Sequence, residues 1–187
     1  TEVIVGGELS NHKGVNFPAG GLSVPVITQK DHEDINLAAE LNVDFLAVSF
    51  VRCARDVRET RLLYEAAGGR GKIVSKIERA EAYQNLDELI EASDALMVAR
   101  GDLGIEMGFS ELTGIQKEII RKTRRKNKVV ITATEMMQSM IHSQSPTRAE
   151  VADVSNAVMD GTDAVMLSAE TAIGDDPIKV ISTMSDV

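Results

Sequence analysis

Aromatic residues and cysteine are scarce in this sequence, and each scarcity limits the classes of protein to which the chain can belong. Only 3% of the 187 residues are aromatic and there is no tryptophan, so Val, Ile, Leu, Ala and Met must fill the interior. An aliphatic interior of this kind is typical of parallel sheets and of the layered core of a (β/α)8 barrel. The single cysteine, Cys53, excludes an internal disulfide. A reducing compartment follows, and we expect a cytoplasmic protein.

Long apolar runs and an excess of positive charge are also missing. No apolar segment approaches the roughly 20 residues of a membrane-spanning helix, so we expect no membrane partner. The net charge of −9 argues against nucleic acid, because binding to phosphates requires clustered Lys and Arg. This acidic balance fits an enzyme that binds an anionic substrate through metal ions.

From Pro25 onward, strand and helix patterns alternate along the chain. Five short apolar runs predict buried strands that begin near residues 45, 72, 95, 129 and 164, with helical patterns between them. Regular strand–helix units of this size indicate a parallel sheet with right-handed crossovers. Residues 1–21 differ, because alternating residues and paired glycines predict short strands and tight turns. We therefore expect a separate β-rich segment that ends near Pro18–Gly21.

Polar residues gather where the predicted strands end. Lys76 and Glu78 lie two positions apart and should face the same side of their strand. If the next strand is its neighbour, Glu78 and Asp102 can share one divalent cation. Polar residues at every strand end favour the rim of a (β/α)8 barrel. The alternative is an open doubly wound sheet, in which such residues collect at a single switch point.

Five segments, in this order, resemble the pyruvate kinase family, and its bacterial members most of all. They are K-I-V-S-K-I-E-R-A-E-A, V-A-R-G-D-L-G-I-E, I-T-A-T-E-M-M-Q-S-M-I, P-T-R-A-E-V-A-D-V-S-N-A-V-M-D-G and D-A-V-M-L-S-A-E-T-A-I-G. The likeness covers essentially the whole chain. It implies that residues 1–21 end a β-rich lid domain that is inserted after the third barrel strand. Residues 22–187 would then be the C-terminal part of the catalytic barrel, strands four to eight. The resemblance further implies that the N-terminal barrel strands and the C-terminal domain of the family would be absent from this sequence.

The resemblance also implies an activity and its partners. Members of this family transfer a phosphoryl group from phosphoenolpyruvate to ADP, the last step of glycolysis, with Mg²⁺ or Mn²⁺ as the divalent cation. The complete enzyme also needs K⁺, and family likeness implies a homotetramer. An isolated fragment is expected to be inactive.

Site residues carried over from the family fall at the strand ends. The resemblance assigns Glu78 and Asp102 as metal ligands. It implies that Lys76 stabilises the charge on the phosphoryl group during transfer. Such an arrangement suits phosphoryl transfer, which depends on positioned cations. The remaining roles are substrate binding by the backbone of Arg100, Gly101 and Asp102 and by the hydroxyl of Thr134, and enolate protonation through Ser168 and Glu170.

One departure from the family pattern concerns the segment after the fourth strand. Glutamate and glutamine have exchanged places, so that Glu135 stands next to Thr134 and Gln138 follows three residues later. A carboxylate beside the anion-binding rim would repel the substrate. On this reasoning, reverting the exchange should tighten phosphoenolpyruvate binding.

Several alternatives fit parts of the pattern. A magnesium-dependent lyase or aldolase on a related barrel also binds a pyruvate enolate through a metal. A non-catalytic fragment that acts only in folding or assembly would bind no metal. Asp102 could serve merely as a helix cap. The hydroxyls of Thr134 and Ser168 could simply be hydrogen-bonded within the core. The lysine two residues before Glu78 and the P-T-R-A-E loop favour the kinase.

Overall fold

The structure is a computed structural model, and it describes residues 2–8, 11 and 25–187. In these ranges, α-helices and strands alternate along the chain. The strands are β1 (Phe45–Val48), β2 (Lys72–Ile77), β3 (Ala95–Ala99), β4 (Val129–Ala133) and β5 (Ala164–Met166). The helices are α1 (Gln29–Glu40), α2 (Ala54–Ala66), α3 (Ala80–Gln84), α4 (Leu86–Ala92), α5 (Arg100–Met107), α6 (Phe109–Arg125), α7 (Arg148–Asp160), α8 (Ala169–Ala172) and α9 (Pro177–Asp186).

All five strands form one parallel sheet, and their order in the sheet is their order in the chain. The prediction of an α/β fold with a parallel sheet is therefore confirmed. Strand order does not reverse within the described sheet, whereas a doubly wound sheet reverses at its switch point. Because neighbouring strands run parallel, the residues that follow each of them leave the sheet at the same edge.

The two faces of the sheet are packed differently. One face carries Ile73, Ile77, Leu96, Val98 and Val130, which join a large core with α1, α2, α4 and α6. Alternate residues point to the other face, where Val74, Ala95, Met97 and Ala133 form a separate small cluster. The larger core thus lies on the helix-covered face of the described sheet, and the smaller cluster lies on the other face.

The predicted β-rich N-terminal segment is only partly within the described residues. Residues 2–8 contain bends and no strand, and Val3, Ile4 and Val5 are exposed. The strand expected there from the alternating pattern is therefore not observed. The predicted boundary near Pro18–Gly21 lies outside the described residues. In the part of the chain that the structure describes, no helix is both long enough and apolar enough to cross a membrane.

Strand β3 runs directly into a helix. The sequence predicts a strand to Arg100, but the strand ends at Ala99 and Arg100 already begins α5. Because the strand passes directly into the helix, the first-turn N–H groups of α5 lie at the carboxyl edge of the sheet. Unpaired N–H groups at a helix start favour an anion. Helices α3 and α8 were not predicted, because four or five residues are too few to show a helical period.

Helix α7 begins with a capping box that also holds the preceding loop. The Thr147 hydroxyl and the Glu150 carboxylate each accept from the other residue's backbone N–H. Glu150 accepts two further hydrogen bonds, from the N–H and the hydroxyl of Ser139, both at 2.6 Å. Burial by itself would raise the pKa of Glu150, but the bonds from Ser139 and Thr147 outweigh it and lower the pKa. The ionised carboxylate thus ties α7 to the loop after β4.

We expect Glu150→Gln to lower the thermal midpoint at pH 7, because two loop donors and the cap lose their charged acceptor. The cost should be about 1–3 kcal/mol. Since the folded-state pKa lies below the unfolded value, the stabilisation is present above the unfolded pKa and is lost as pH falls through the folded one. In thermal unfolding, the two proteins should begin to converge at about pH 4, close to the reference pKa of Glu, and should converge further as the pH falls below it. The exposed Glu111, in the first turn of α6, provides the matched control Glu111→Gln. An equal midpoint at pH 7 would contradict the assignment.

Candidate active site

Lys76 and Glu78 form an ion pair at the carboxyl end of β2. Lys76 Nζ lies 2.6 Å from Glu78 Oε1 and donates to the hydroxyl of Ser49 at 2.9 Å. The other carboxylate oxygen of Glu78 accepts from the N–H of Phe50 at 2.6 Å. Glu78 is 1% exposed, whereas Lys76 keeps 26% of its side chain accessible. The expectation that the two side chains face one side is confirmed, and Lys76 is the more accessible member of the pair.

Asp102 lies on the neighbouring strand–helix unit, in the first turn of α5, and is half-buried. Strands β2 and β3 pair with Ile77 opposite Val98, so the segments that carry Glu78 and Asp102 leave the sheet side by side. Among the described residues, no three His, Cys, Asp or Glu side chains gather to form a metal site on their own. The two carboxylates are oxygen donors that fit a hard divalent cation, whose remaining ligands would be water, backbone or substrate oxygens.

Arg100, Gly101 and Thr134 meet between α5 and the end of β4. The N–H of Gly101 donates to the Thr134 hydroxyl at 2.9 Å, and that hydroxyl donates to the carbonyl of Ala133 at 2.7 Å. The Arg100 side chain is buried against the end of β4, where its Nε donates to the carbonyl of Ala133 at 3.1 Å. A Cβ atom at Gly101 would make ordinary van der Waals contact with Thr134, at 3.8 Å from its hydroxyl oxygen.

Backbone strain is concentrated at the strand ends. Thr134 and Glu135 have φ of 70° and 54°, and Phe50 has φ of 55°. Non-glycine residues in this left-handed region cost of order 1–3 kcal/mol each and persist only where the surroundings hold them. Phe50 is held by Glu78, and Thr134 by Arg100, whose Nη2 donates to the Thr134 carbonyl at 2.6 Å.

Ser168 and Glu170 follow β5, but the structure gives them different surroundings. Ser168 is exposed and caps α8, whereas Glu170 is 1% exposed. Glu170 accepts from the N–H of Met137 at 3.1 Å and from the N–H of Ser168 at 2.8 Å. The buried carboxylate therefore joins the loop after β4 to the end of β5. The catalytic roles given to Ser168 and Glu170 stay predictions.

Glu135 lines a cavity of about 400 Å³ between α6 and α7, and its neighbour Thr134 lines the same cavity. Arg100 and Asp153 also line it. The repulsion expected between Glu135 and a bound anion stays a prediction.

Sequence reasoning missed two contacts of this site. Ser49 binds Lys76 from the neighbouring strand, and Asp153 binds Arg100 from α7, 53 residues along the chain. Asp153 lies inside the P-T-R-A-E-V-A-D segment that carries the family resemblance. Membership of that segment is the one feature of the sequence that indicates a role for Asp153. Nothing in the spacing indicates that its partner is Arg100.

Consecutive parallel strands, with charged residues at their carboxyl ends, place this chain among the α/β proteins built on a parallel sheet. The model of one such family, described as "Pyruvate kinase, barrel domain", matches residues 1–181. The chain therefore belongs to the pyruvate kinase family.

Individual relatives agree with the family model. The chain is 56% identical over 190 residues to the pyruvate kinase of Buchnera aphidicola subsp. Acyrthosiphon pisum, and 57% identical to that of Haemophilus influenzae. It is 58% identical to pyruvate kinase II of Salmonella typhimurium. Each match covers the whole chain but 40% of the relative, so the chain spans about two fifths of their length. These names favour the kinase over the lyase or aldolase alternative.

Proposed function

We propose that the complete protein carrying these residues transfers the phosphoryl group of phosphoenolpyruvate to ADP, giving pyruvate and ATP. The observation that supports this most is the Lys76–Glu78 pair beside the helix start that carries Asp102. Phosphoryl transfer needs little covalent help from a protein and depends on cations placed around the transferring oxygens. An accessible ammonium group and two carboxylates for a metal supply such cations.

Glu78 and Asp102 are proposed to hold Mg²⁺, or Mn²⁺ in its place. When bound, the ion neutralises charge on the phosphoryl oxygens and orients the substrate. Glu78 is prepared for this role, because the N–H of Phe50 and the ammonium of Lys76 already fix its orientation. Lys76 lies next to the proposed metal position and would stabilise negative charge that develops during transfer. We place the K⁺ ligands and most nucleotide contacts in parts of the protein outside this chain.

The substrate carboxylate is proposed to bind at the start of α5. The backbone of Arg100, Gly101 and Asp102 offers N–H groups there, and the Thr134 hydroxyl already accepts from Gly101. After transfer, the enolate of pyruvate needs a proton on carbon. Ser168 is proposed to deliver it from the exposed end of β5, and Glu170 holds Ser168 through its N–H.

The family resemblance also supports a proposal for the larger architecture. We propose that β1 to β5 are strands four to eight of a (β/α)8 barrel, and that residues 1–21 end an inserted lid domain. Consecutive strand order and helices packed on one face support this proposal. By the same resemblance, the complete enzyme is proposed to be a cytoplasmic homotetramer.

A coupled assay on the complete protein tests the proposal. With phosphoenolpyruvate, ADP, Mg²⁺ and K⁺ present, lactate dehydrogenase should report pyruvate formation, and ATP should appear in equal amount. Omitting ADP distinguishes phosphoryl transfer from hydrolysis, because water as the acceptor would release pyruvate and inorganic phosphate without ADP. Pyruvate formation that is independent of ADP, or no turnover at all, would contradict the proposal.

The 187-residue chain on its own should turn over at least about a hundredfold more slowly, because positioning supplies much of this catalysis. Strands β1 and β5 each have one edge without a neighbour in the described sheet. Exposed strand edges favour association with another chain. Light scattering should therefore show oligomers or aggregates. A monomer with turnover near that of the complete protein would show that the other barrel strands are dispensable.

A further inference from the structure

Strand β1 is followed by two residues that contact the Lys76–Glu78 pair on the neighbouring strand. The Ser49 hydroxyl accepts from Lys76 Nζ at 2.9 Å, and the backbone N–H of Phe50 donates to Glu78 Oε2 at 2.6 Å. Strands β1 and β2 are parallel neighbours, so their carboxyl ends lie side by side. Each member of the ion pair therefore has its own partner after β1.

The backbone around Ser49 is held on both sides. Val48, before it, ends β1 and is 6% exposed. Phe50, after it, has a φ of 55°, a left-handed value that turns the chain directly after Ser49. The hydrogen bond from Phe50 to the buried carboxylate of Glu78 offsets this strain. The Ser49 hydroxyl is thus carried by a fixed segment and can act as a fixed acceptor.

The ammonium group of Lys76 needs such an acceptor. A lysine side chain is a flexible four-carbon stem, so its charge moves unless acceptors hold it. Among the described residues, Lys76 Nζ contacts Glu78 Oε1 at 2.6 Å and the Ser49 hydroxyl at 2.9 Å. A carboxylate that also binds a divalent cation attracts a neighbouring ammonium less, because the cation repels the ammonium. The neutral Ser49 hydroxyl is outside the proposed metal ligands, so its hold on Lys76 does not weaken in this way.

We propose that Ser49 is a positioning residue that acts through Lys76: its hydroxyl keeps the ammonium group at the carboxyl end of β2 while Glu78 binds the metal. This inference rests on the proposed function. Two of the three N–H donors of the ammonium are then directed to Glu78 and Ser49, and the third is left for a phosphoryl oxygen. A charge held in advance in this way stabilises the transition state without reorganising first.

Steady-state kinetics of the complete protein test the proposal with Ser49→Ala and Ser49→Thr. We expect kcat to fall about tenfold in Ser49→Ala, with the KM values for phosphoenolpyruvate and ADP within about threefold, because Lys76 acts on charge that develops during transfer. Ser49→Thr keeps the hydroxyl and should keep kcat within about threefold. Ser143→Ala is the control, since Ser143 is exposed in the loop after β4, and its kinetics should not change.

A double variant shows whether Ser49 acts through Lys76. In Lys76→Met there is no ammonium to hold, so adding Ser49→Ala should change kcat by less than about twofold. Two measurements without turnover accompany it. Mn²⁺ binding to Ser49→Ala, followed by electron paramagnetic resonance, should stay within about twofold of the unaltered protein. A crystal structure of Ser49→Ala with Mn²⁺ should show the Lys76 ammonium displaced from its position in the unaltered protein.

The possible outcomes separate this inference from the function on which it rests. No turnover in the unaltered protein overturns both. With normal turnover there, a kcat of Ser49→Ala within about twofold overturns the role of Ser49 only. A fall of about tenfold that recurs in the Lys76→Met background also overturns it, because Ser49 would then act on another group. A fall in kcat with an equal loss of Mn²⁺ affinity, or with Lys76 unmoved, marks Ser49 as merely structural and overturns it as well.

Discussion

Replacing Lys76 with methionine should lower kcat of the complete enzyme by about a hundredfold to a thousandfold, which is the cost of removing one preorganised charge-stabilising group. Lys76 is the accessible member of the pair with Glu78, and its ammonium lies 2.6 Å from the carboxylate proposed to hold the metal. It can therefore meet charge that grows only in the transition state, so kcat should fall more than the KM values rise. Methionine keeps the unbranched stem and removes the charge.

Two measurements accompany this variant. Binding of Mn²⁺ should survive in Lys76→Met, because the carboxylates remain and the competing ammonium is gone. Lys72→Met is the matched control, since Lys72 lies on the same strand but is exposed and pairs with Asp94 at 3.7 Å. Its kcat should stay within about twofold. A loss of less than about tenfold in Lys76→Met, or roughly 1.4 kcal/mol, would mean that Lys76 only neutralises Glu78.

Replacing Glu78 with glutamine should abolish most metal activation. The amide keeps an oxygen for the N–H of Phe50, so the strand end retains its hydrogen bond, but the charge that attracts the cation is lost. We expect the Mg²⁺ concentration for half-maximal activity to rise at least about tenfold, a loss of roughly 1.4 kcal/mol of binding free energy. Titration of activity with Mg²⁺ measures this directly.

Glu81→Gln is the control for that titration. Glu81 lies three residues further along and pairs with Arg79 at 3.1 Å on a more exposed surface. Its metal dependence should match that of the unaltered enzyme. If Glu78→Gln were activated at the same Mg²⁺ concentration, the cation would have to be held by other ligands.

Much of the fold is predictable from local patterns. The apolar runs around Ile73, Leu96 and Val130 are too short for helices and too apolar for surface segments. All three are buried strands in the structure. The pairing of Lys76 with Glu78 follows from the period of two in a strand. Features of this kind depend on residues that are near one another in the chain.

The site is less predictable, because its geometry depends on distant contacts. Thr134 and Glu135 adopt left-handed conformations that no glycine in the sequence indicates. These conformations persist because Arg100, 34 residues away in the chain, donates to the Thr134 carbonyl. Arg100 also donates to Asp153, 53 residues further along. The sequence gives no sign that Glu135 and Asp153 line one cavity with Thr134.

Anomalous diffraction from crystals of the complete protein with Mn²⁺ and phosphoenolpyruvate tests the central assignment most directly. The result expected is one strong peak between the carboxylates of Glu78 and Asp102, each within coordination distance, which for Mg²⁺ at the same position is about 2.0–2.1 Å. Lys76 Nζ and the start of α5 should face the bound substrate. A metal peak elsewhere, with the two carboxylates apart and unliganded, would contradict the assignment of these strand ends as the phosphoryl-transfer site.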